Sequence, residues 1–258
     1  MRILHVSDLH FHRDAEKNRA AVQALQAVRE LMTEPGDYLI VTGDITDDGH
    51  PEQYHNACAE LKKIGRGRVF ICPGNHDFGA AGNFFDPDRA RRFDSILCEE
   101  LGQGGTFAGS GRPVVNLVHD RDTSAMFIAL DSNLETVHPF DLACGEIGDV
   151  QLGALDALLA DGATCDAFKV VVLHHHPLIV NDPKLVLVDA RKFLRVMHGR
   201  ANVLAFGHKH ESREWRNVCG IDLVVASDNT PGKDFVRRIT LENGRPPQSD
   251  DVRIAMDR

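Results

Sequence analysis

Short apolar runs that each stop at a polar loop recur along the chain, and this alternation limits the fold more than any other feature. Residues 2–7, 38–41, 68–72, 168–173 and 203–206 are rich in Val, Ile, Leu and Phe, and each run ends at a Gly, Pro, Asp or His cluster. Runs this short, closed by a breaker, read as buried strands. Two helical stripes separate the first three. Ala21, Leu25, Val28 and Met32 fall at spacings of four, three and four. Tyr54, Ala57, Cys58, Leu61 and Ile64 form the second stripe, and Pro51 suits the first position of that helix. The resulting βαβαβ order predicts a parallel sheet with right-handed crossovers. Ligands of such sheets bind beyond the carboxyl ends of the strands, so the loops are where function is expected.

Further along, 88–101 reads as a helix with Phe93, Ile96 and Leu97 inward, and 102–113, with five glycines, as a loop. Residues 114–118 and 125–130 read as two strands of a second sheet, joined by the turn His119-Asp120-Arg121-Asp122. Leu152, Leu155, Leu158 and Leu159 mark a short amphipathic helix. Asp189 is placed to cap a helix that buries Phe193, Leu194 and Met197. Residues 221–226 and 235–241 are the clearest late strands. From Asn243 onward, Pro246-Pro247 and two Asp suggest a partly disordered tail, 243–258, outside a domain of 1–242.

Composition narrows the partners. The 258 residues carry a formal net charge of −9. That argues against binding long duplex nucleic acid, which needs a basic footprint, but bound divalent cations could still reverse the local field for a phosphate substrate. The N-terminal apolar stretch is too short for a signal peptide, and no apolar run is long enough to span a membrane. Six scattered cysteines without a CxxC pair fit reduced thiols and a cytoplasmic location.

The five strand-end loops carry Asp8 and His10, Asp44, Asn75 and His76, His175 with its neighbours, and His208 with His210. An Asp in a turn or a lone His has a bland explanation; five such loops at one sheet edge can converge. The donors are oxygen and nitrogen with no thiolate, which suits two divalent transition-metal ions from Mn, Fe, Zn, Co or Ni. Seven ligands are too many for one ion and suit a pair roughly 3.5–4 Å apart. In Gly74-Asn75-His76-Asp77, Asn75 is a neutral donor, His76 a group able to protonate a leaving oxygen, and Asp77 a carboxylate able to orient the His76 ring.

The series Asp8-x-His10, Gly43-Asp44-x-x-Asp47, Gly74-Asn75-His76-Asp77, His175-x-Pro177 and Gly207-His208-x-His210 resembles the calcineurin-like metallophosphoesterases over residues 1 to about 230. The resemblance implies an α/β fold, a four-layer αββα sandwich of two central mixed sheets flanked by helices. It implies that Asp8, His10 and His210 hold one metal, that Asn75, His175 and His208 hold the other, that Asp44 bridges them, and that His76 acts on the leaving group. Matching His-x-Pro selects His175, with His174 turned back toward the sheet and His176 toward substrate; His174 and His176 are the alternative ligands. Leu130-Asp131-Ser132, Gly145-Glu146-Ile147 and Gln151-Leu152 look most like the class III cyclic nucleotide phosphodiesterases and the glycerophosphodiesterases. The implied reaction is hydrolysis of a small phosphodiester, such as a 3′,5′-cyclic nucleotide or a glycerophosphodiester, by a metal-bridging hydroxide. A phosphomonoesterase or nuclease on the same core is the alternative, and a silent protein-binding scaffold comes last. No counterpart is seen of the cap or C-terminal elements that some members use for specificity or dimerisation; a homodimer remains open. The loops 79–87, 131–147 and 178–188 are expected to set specificity. His12, His50, His55, His119, His138 and His198 are expected to be surface or structural.

Overall fold

The computed structural model describes residues 1–80, 84–134, 143–162, 166–179, 182 and 184–255. His138 and Cys165 therefore lie outside the described residues, as do parts of the three loops expected to set specificity. In chain order the strands are β1 (Arg2–Val6), β2 (Asp37–Thr42), β3 (Val69–Cys72), the short pair β4 (Gly79–Ala80) and β5 (Phe84–Phe85), β6 (Val114–Asp120), β7 (Thr123–Ala129), β8 (Phe168–Val172), β9 (Val203–Phe206), β10 (Arg213–Val218), β11 (Ile221–Ala226), β12 (Phe235–Thr240) and β13 (Gln248–Arg253). The helices are α1 (Arg19–Leu31), α2 (Pro51–Leu61), the single turn α3 (Asn75–Phe78), α4 (Pro87–Arg92), α5 (Glu99–Leu101), α6 (Asp149–Ala160) and α7 (Ala190–Met197).

Two mixed sheets form the centre. One runs β13-β12-β1-β2-β3 and the other β10-β11-β9-β8-β7-β6. Strands β1, β2 and β3 are parallel, as the βαβαβ order requires, and so are β7, β8, β9 and β11. Alternation along the second sheet sorts its side chains by face. Phe127, Val170, Val203 and Leu223 join β1–β3 and the buried stripes of α1 and α2 in one apolar cluster. Met126, Val171, Leu204 and Val224 join Leu155 of α6 and Phe193 of α7 in another. The outcome is two sheets face to face with helices outside each. Burying each large apolar side chain contributes roughly 1.5–3 kcal/mol, so the two clusters hold the sheet ends in fixed relation.

Three local expectations are corrected. Residues 87–101 are helical, but Phe93–Cys98 is a π-helical stretch between α4 and α5. The β6–β7 ladder continues through His119↔Ser124 and Asp120↔Thr123, leaving only Arg121-Asp122 as the turn; Arg121 adopts φ 52, as a two-residue hairpin demands. The stretch from Asn243 is not a loose tail through its length: Gln248–Arg253 pairs antiparallel with β12 as an edge strand, and Arg238 clasps Asp250 across the pair. Polar alternation hid this strand, because its outer face has no core to meet.

Candidate metal centre

The candidate site sits where the strand ends of both sheets meet. The loops after β1 and β2 run side by side: the Asp8 N–H donates to the Gly43 carbonyl (3.1 Å) and the His10 N–H to the Asp44 carbonyl (3.0 Å). α3 follows β3 and carries Asn75 and His76. His174 follows β8 by two residues, and His208 and His210 follow β9. Asp8, His10, Asp44, His208 and His210 all have left-handed backbone, with φ 54, 46, 49, 73 and 51. Non-glycine residues seldom adopt this conformation; here it turns each side chain in toward the others. Two glycines make room for them. A Cβ at Gly74 would fall on Asp44 Oδ1, and one at Gly207 on Ser7 Oγ.

Three groups of donors converge: Asp8, His10 and His210; His10, Asp44 and His76; and Asp44, His174 and His208. His174 Nε2 lies 3.2 Å from Asp44 Oδ2, 3.1 Å from Asn75 Oδ1 and 3.1 Å from His208 Nδ1. His210 Nε2 is 3.2 Å from Asp8 Oδ1, and His10 Nε2 is 4.0 Å from Asp44 Oδ2. Acceptors crowded this closely need a cation among them. His174 can supply one: burial opposes its charge, but Asp44 and then Asp8 outweigh burial and raise its pKa to about 9. Burial likewise opposes the charge of Asp44, yet His174, His76 and His10 hold its carboxyl well below the usual range. Asp8 Oδ1 is buried, and its His210 Nε2 neighbour at 3.2 Å is out of line for a hydrogen bond. Buried, mixed oxygen and nitrogen donors with an orphaned carboxylate oxygen fit divalent metal ions.

Of the residues singled out in the sequence, Asp8, His10, Asp44, Asn75, His208 and His210 come together. His175 does not join them, and its neighbour His174 takes the expected place. The His175 Nδ1 lies 2.8 Å from Ser132 Oγ, and its ring centre is 4.5 Å from that of His208 and 5.2 Å from that of His174. The reason is parity. Val170 and Val172 face between the sheets, and position 174 continues that face. His176 packs on Phe206 and Trp215, with ring centres 4.5 and 5.7 Å away, rather than at the donor cluster.

Asp77 is also corrected. It is fully buried and does not touch the His76 ring. Its carboxylate accepts from the backbone N–H groups of Ile45 (3.2 Å), Thr46 (2.8 Å) and Gly74 (2.9 Å), and from the Thr46 hydroxyl (2.9 Å). Burial, reinforced by Asp44, pushes its pKa to about 6 against these bonds. His76 is instead oriented by the Asp47 carbonyl, 2.7 Å from its Nδ1, and its ring stands edge-on to His10 at 4.8 Å. Burial opposes its protonation, but Asp44 and the Asp47 carbonyl prevail, and its pKa is raised. His12 Nδ1 lies 3.2 Å from the Asp47 carboxylate, nearer to the site than its default reading as a surface residue.

Asp189 does not cap α7. It accepts from the N–H groups of Ile147 and Gly148 and so ties the 143–148 turn to the loop before α7. Gln151 closes the same region by a two-way bond to the Asp131 backbone (3.0 and 2.7 Å). Both contacts lie far apart in sequence and carry no local signal.

Comparison with known proteins agrees with this geometry. Among curated proteins, a "Probable cyclic nucleotide phosphodiesterase" of Rhodococcus erythropolis is 32% identical over 260 residues, covering 94% of this chain and 75% of the relative. The "Glycerophosphodiester phosphodiesterase GpdQ" of Enterobacter lignolyticus is 29% identical over 197 residues, covering 72% of this chain and 60% of that protein. A solved dimetal phosphatase from Danio rerio shares the fold with a TM-score of 0.65 at 16% identity, covering 98% of both chains. Residues 1–212 match the family described as Calcineurin-like phosphoesterase. With the loops that carry these Asp and His residues inside that span, the chain belongs to the calcineurin-like phosphoesterases.

Proposed function

We propose that this protein hydrolyses a small phosphodiester at a two-metal centre, with Asp8, His10 and His210 holding one ion, Asn75, His174 and His208 the other, and Asp44 between them. The observation that carries the reading is the approach of His174 Nε2 to Asp44, Asn75 and His208 within 3.2 Å, beside the separate Asp8–His10–His210 group. When bound, the ions supply Lewis acidity that activates water near neutral pH and offsets the charge of the phosphoryl group. The chain does the rest. Asp44 offers a carboxylate to both groups. His76 stands beside His10 with Nδ1 turned to the Asp47 carbonyl, which can only accept, so Nε2 is the nitrogen available to protonate a leaving oxygen.

The diester preference is supported by the names of the two relatives, a probable cyclic nucleotide phosphodiesterase and a glycerophosphodiester phosphodiesterase. A cytoplasmic location is supported by the free thiols of Cys58, Cys72, Cys98 and Cys144, all buried. Among the described residues no helix is long and apolar enough to cross a membrane.

The test is reconstitution with Mn, followed by metal analysis and hydrolysis of bis-p-nitrophenyl phosphate against p-nitrophenyl phosphate. Near two ions per chain and a higher kcat/KM for the diester are expected. A higher kcat/KM for the monoester would replace this reading with a phosphatase, and a chain that binds no metal would end it.

A further inference from the structure

We propose that Arg237 is a positioning residue for the ion held by Asp8, His10 and His210. From one sheet its guanidinium reaches the loop between β9 and β10 of the other and fixes where His210 stands. The proposal rests on the reading above that His210 is a ligand of that ion.

His210 is the most exposed member of its group, with 47% of its side chain open to solvent against 19% for His10 and none for Asp8. Its backbone is left-handed, with φ 51, and such a conformation persists only where the surroundings impose it. A half-exposed ring receives little of that from packing. The adjoining main chain adds nothing: among the described residues, 210–212 make no backbone–backbone hydrogen bond, and the β10 ladder begins at Arg213↔Ala226. Asn75, His174 and His208, the donors of the other ion, are all buried.

Arg237 supplies the missing restraint. It lies on β12, opposite His5 of β1 on one side and Asp251 of β13 on the other, and its side chain is buried. Its Nη2 donates to Ser212 Oγ (2.7 Å) and its Nη1 to the Arg213 carbonyl (2.8 Å). Asp251 accepts from its Nε (3.2 Å) and pairs its charge. A guanidinium is a planar fork of donors, so three partners fix its plane. Two of the three lie only two and three residues after His210. The edge pair β12–β13 thus holds the guanidinium, and the guanidinium holds the end of the loop that presents His210.

Charge and position predict opposite results when Arg237 is removed. Loss of a nearby positive charge favours a bound cation, whereas loss of the clamp frees His210 and disfavours it. Mn binding isotherms of the full chain, read by the paramagnetic resonance of free Mn, separate the two. His210→Ala identifies which affinity belongs to the ion of Asp8, His10 and His210. Arg237→Met should weaken that same affinity by about 10–100-fold, the range for groups that orient metal ligands, with the other ion unchanged. Ser212→Ala removes one of the two loop bonds and should give a smaller loss at the same ion. The double variant should lose no more than Arg237→Met alone, because both changes act through one contact. Unchanged or tighter binding of that ion in Arg237→Met, or equal weakening of both ions, would reduce Arg237 to a tie between the sheets. If Arg237→Met does not fold, Ser212→Ala decides alone, and no loss there overturns the proposal. Unchanged affinities in His210→Ala would instead remove the ligand reading beneath it.

Discussion

At the scale of single residues, His76 and Asp77 are adjacent in sequence and separate in role. His76 is part-exposed, its Nδ1 bound to the Asp47 carbonyl and its pKa raised by Asp44. If its Nε2–H protonates the leaving oxygen, His76→Ala should lower kcat by about 10²–10⁴ for an alkyl leaving group. The loss should shrink for p-nitrophenolate, which leaves without a proton, and metal content should stay at the wild-type level. Steady-state rates on paired diesters, with metal analysis of each sample, decide this; equal losses on both would remove the acid role. The sequence shows that His76 can titrate. It cannot show that a main-chain oxygen 29 residues upstream orients the ring, because any residue type supplies that oxygen.

At the scale of elements, Asp77 joins the β2 loop to the β3 loop. Removing its carboxylate by Asp77→Ala strands the N–H groups of Ile45, Thr46 and Gly74 in a buried place. Each buried unpaired donor costs about 1–3 kcal/mol, so a loss of roughly 3 kcal/mol or more is expected in denaturant unfolding, while kcat of the fraction still folded changes little. A large kcat loss at unchanged stability would instead return Asp77 to the chemistry. Strand and helix order was legible at this scale because period-2 and period-3.6 patterns record burial directly. Gln248–Arg253 was missed, since an edge strand with exposed Asp250 and Asp251 records no burial. His174 was ranked behind His175 for a related reason. The motif spacing His-x-Pro pointed one residue on, whereas the face alternation of Val170 and Val172 selects position 174, and the two cues disagree only where three histidines stand in a row.

For the whole molecule, the two sheets bring loops more than 160 residues apart into one cluster: the His208 N–H donates to Asp8 Oδ2 at 3.3 Å across a separation of 200 residues. Five of the nine non-glycine residues with positive φ among the described residues belong to that cluster. Each such backbone costs roughly 1–2 kcal/mol relative to right-handed geometry, and the folded core, not the ligands themselves, holds it in place. Ligand competence and folding stability therefore pull in opposite directions at these positions. His210→Asn keeps a polar side chain and suits left-handed backbone better. The metal-free variant should unfold at higher temperature than the metal-free parent, by up to about 1 kcal/mol of stability, and calorimetry of both proteins after chelation would show no gain if the strain is absent. A chain of this design that ceased to need its ions would thus drift toward an inert scaffold by steps that each favour folding, and continued use of the metals is what keeps the strained loops in being.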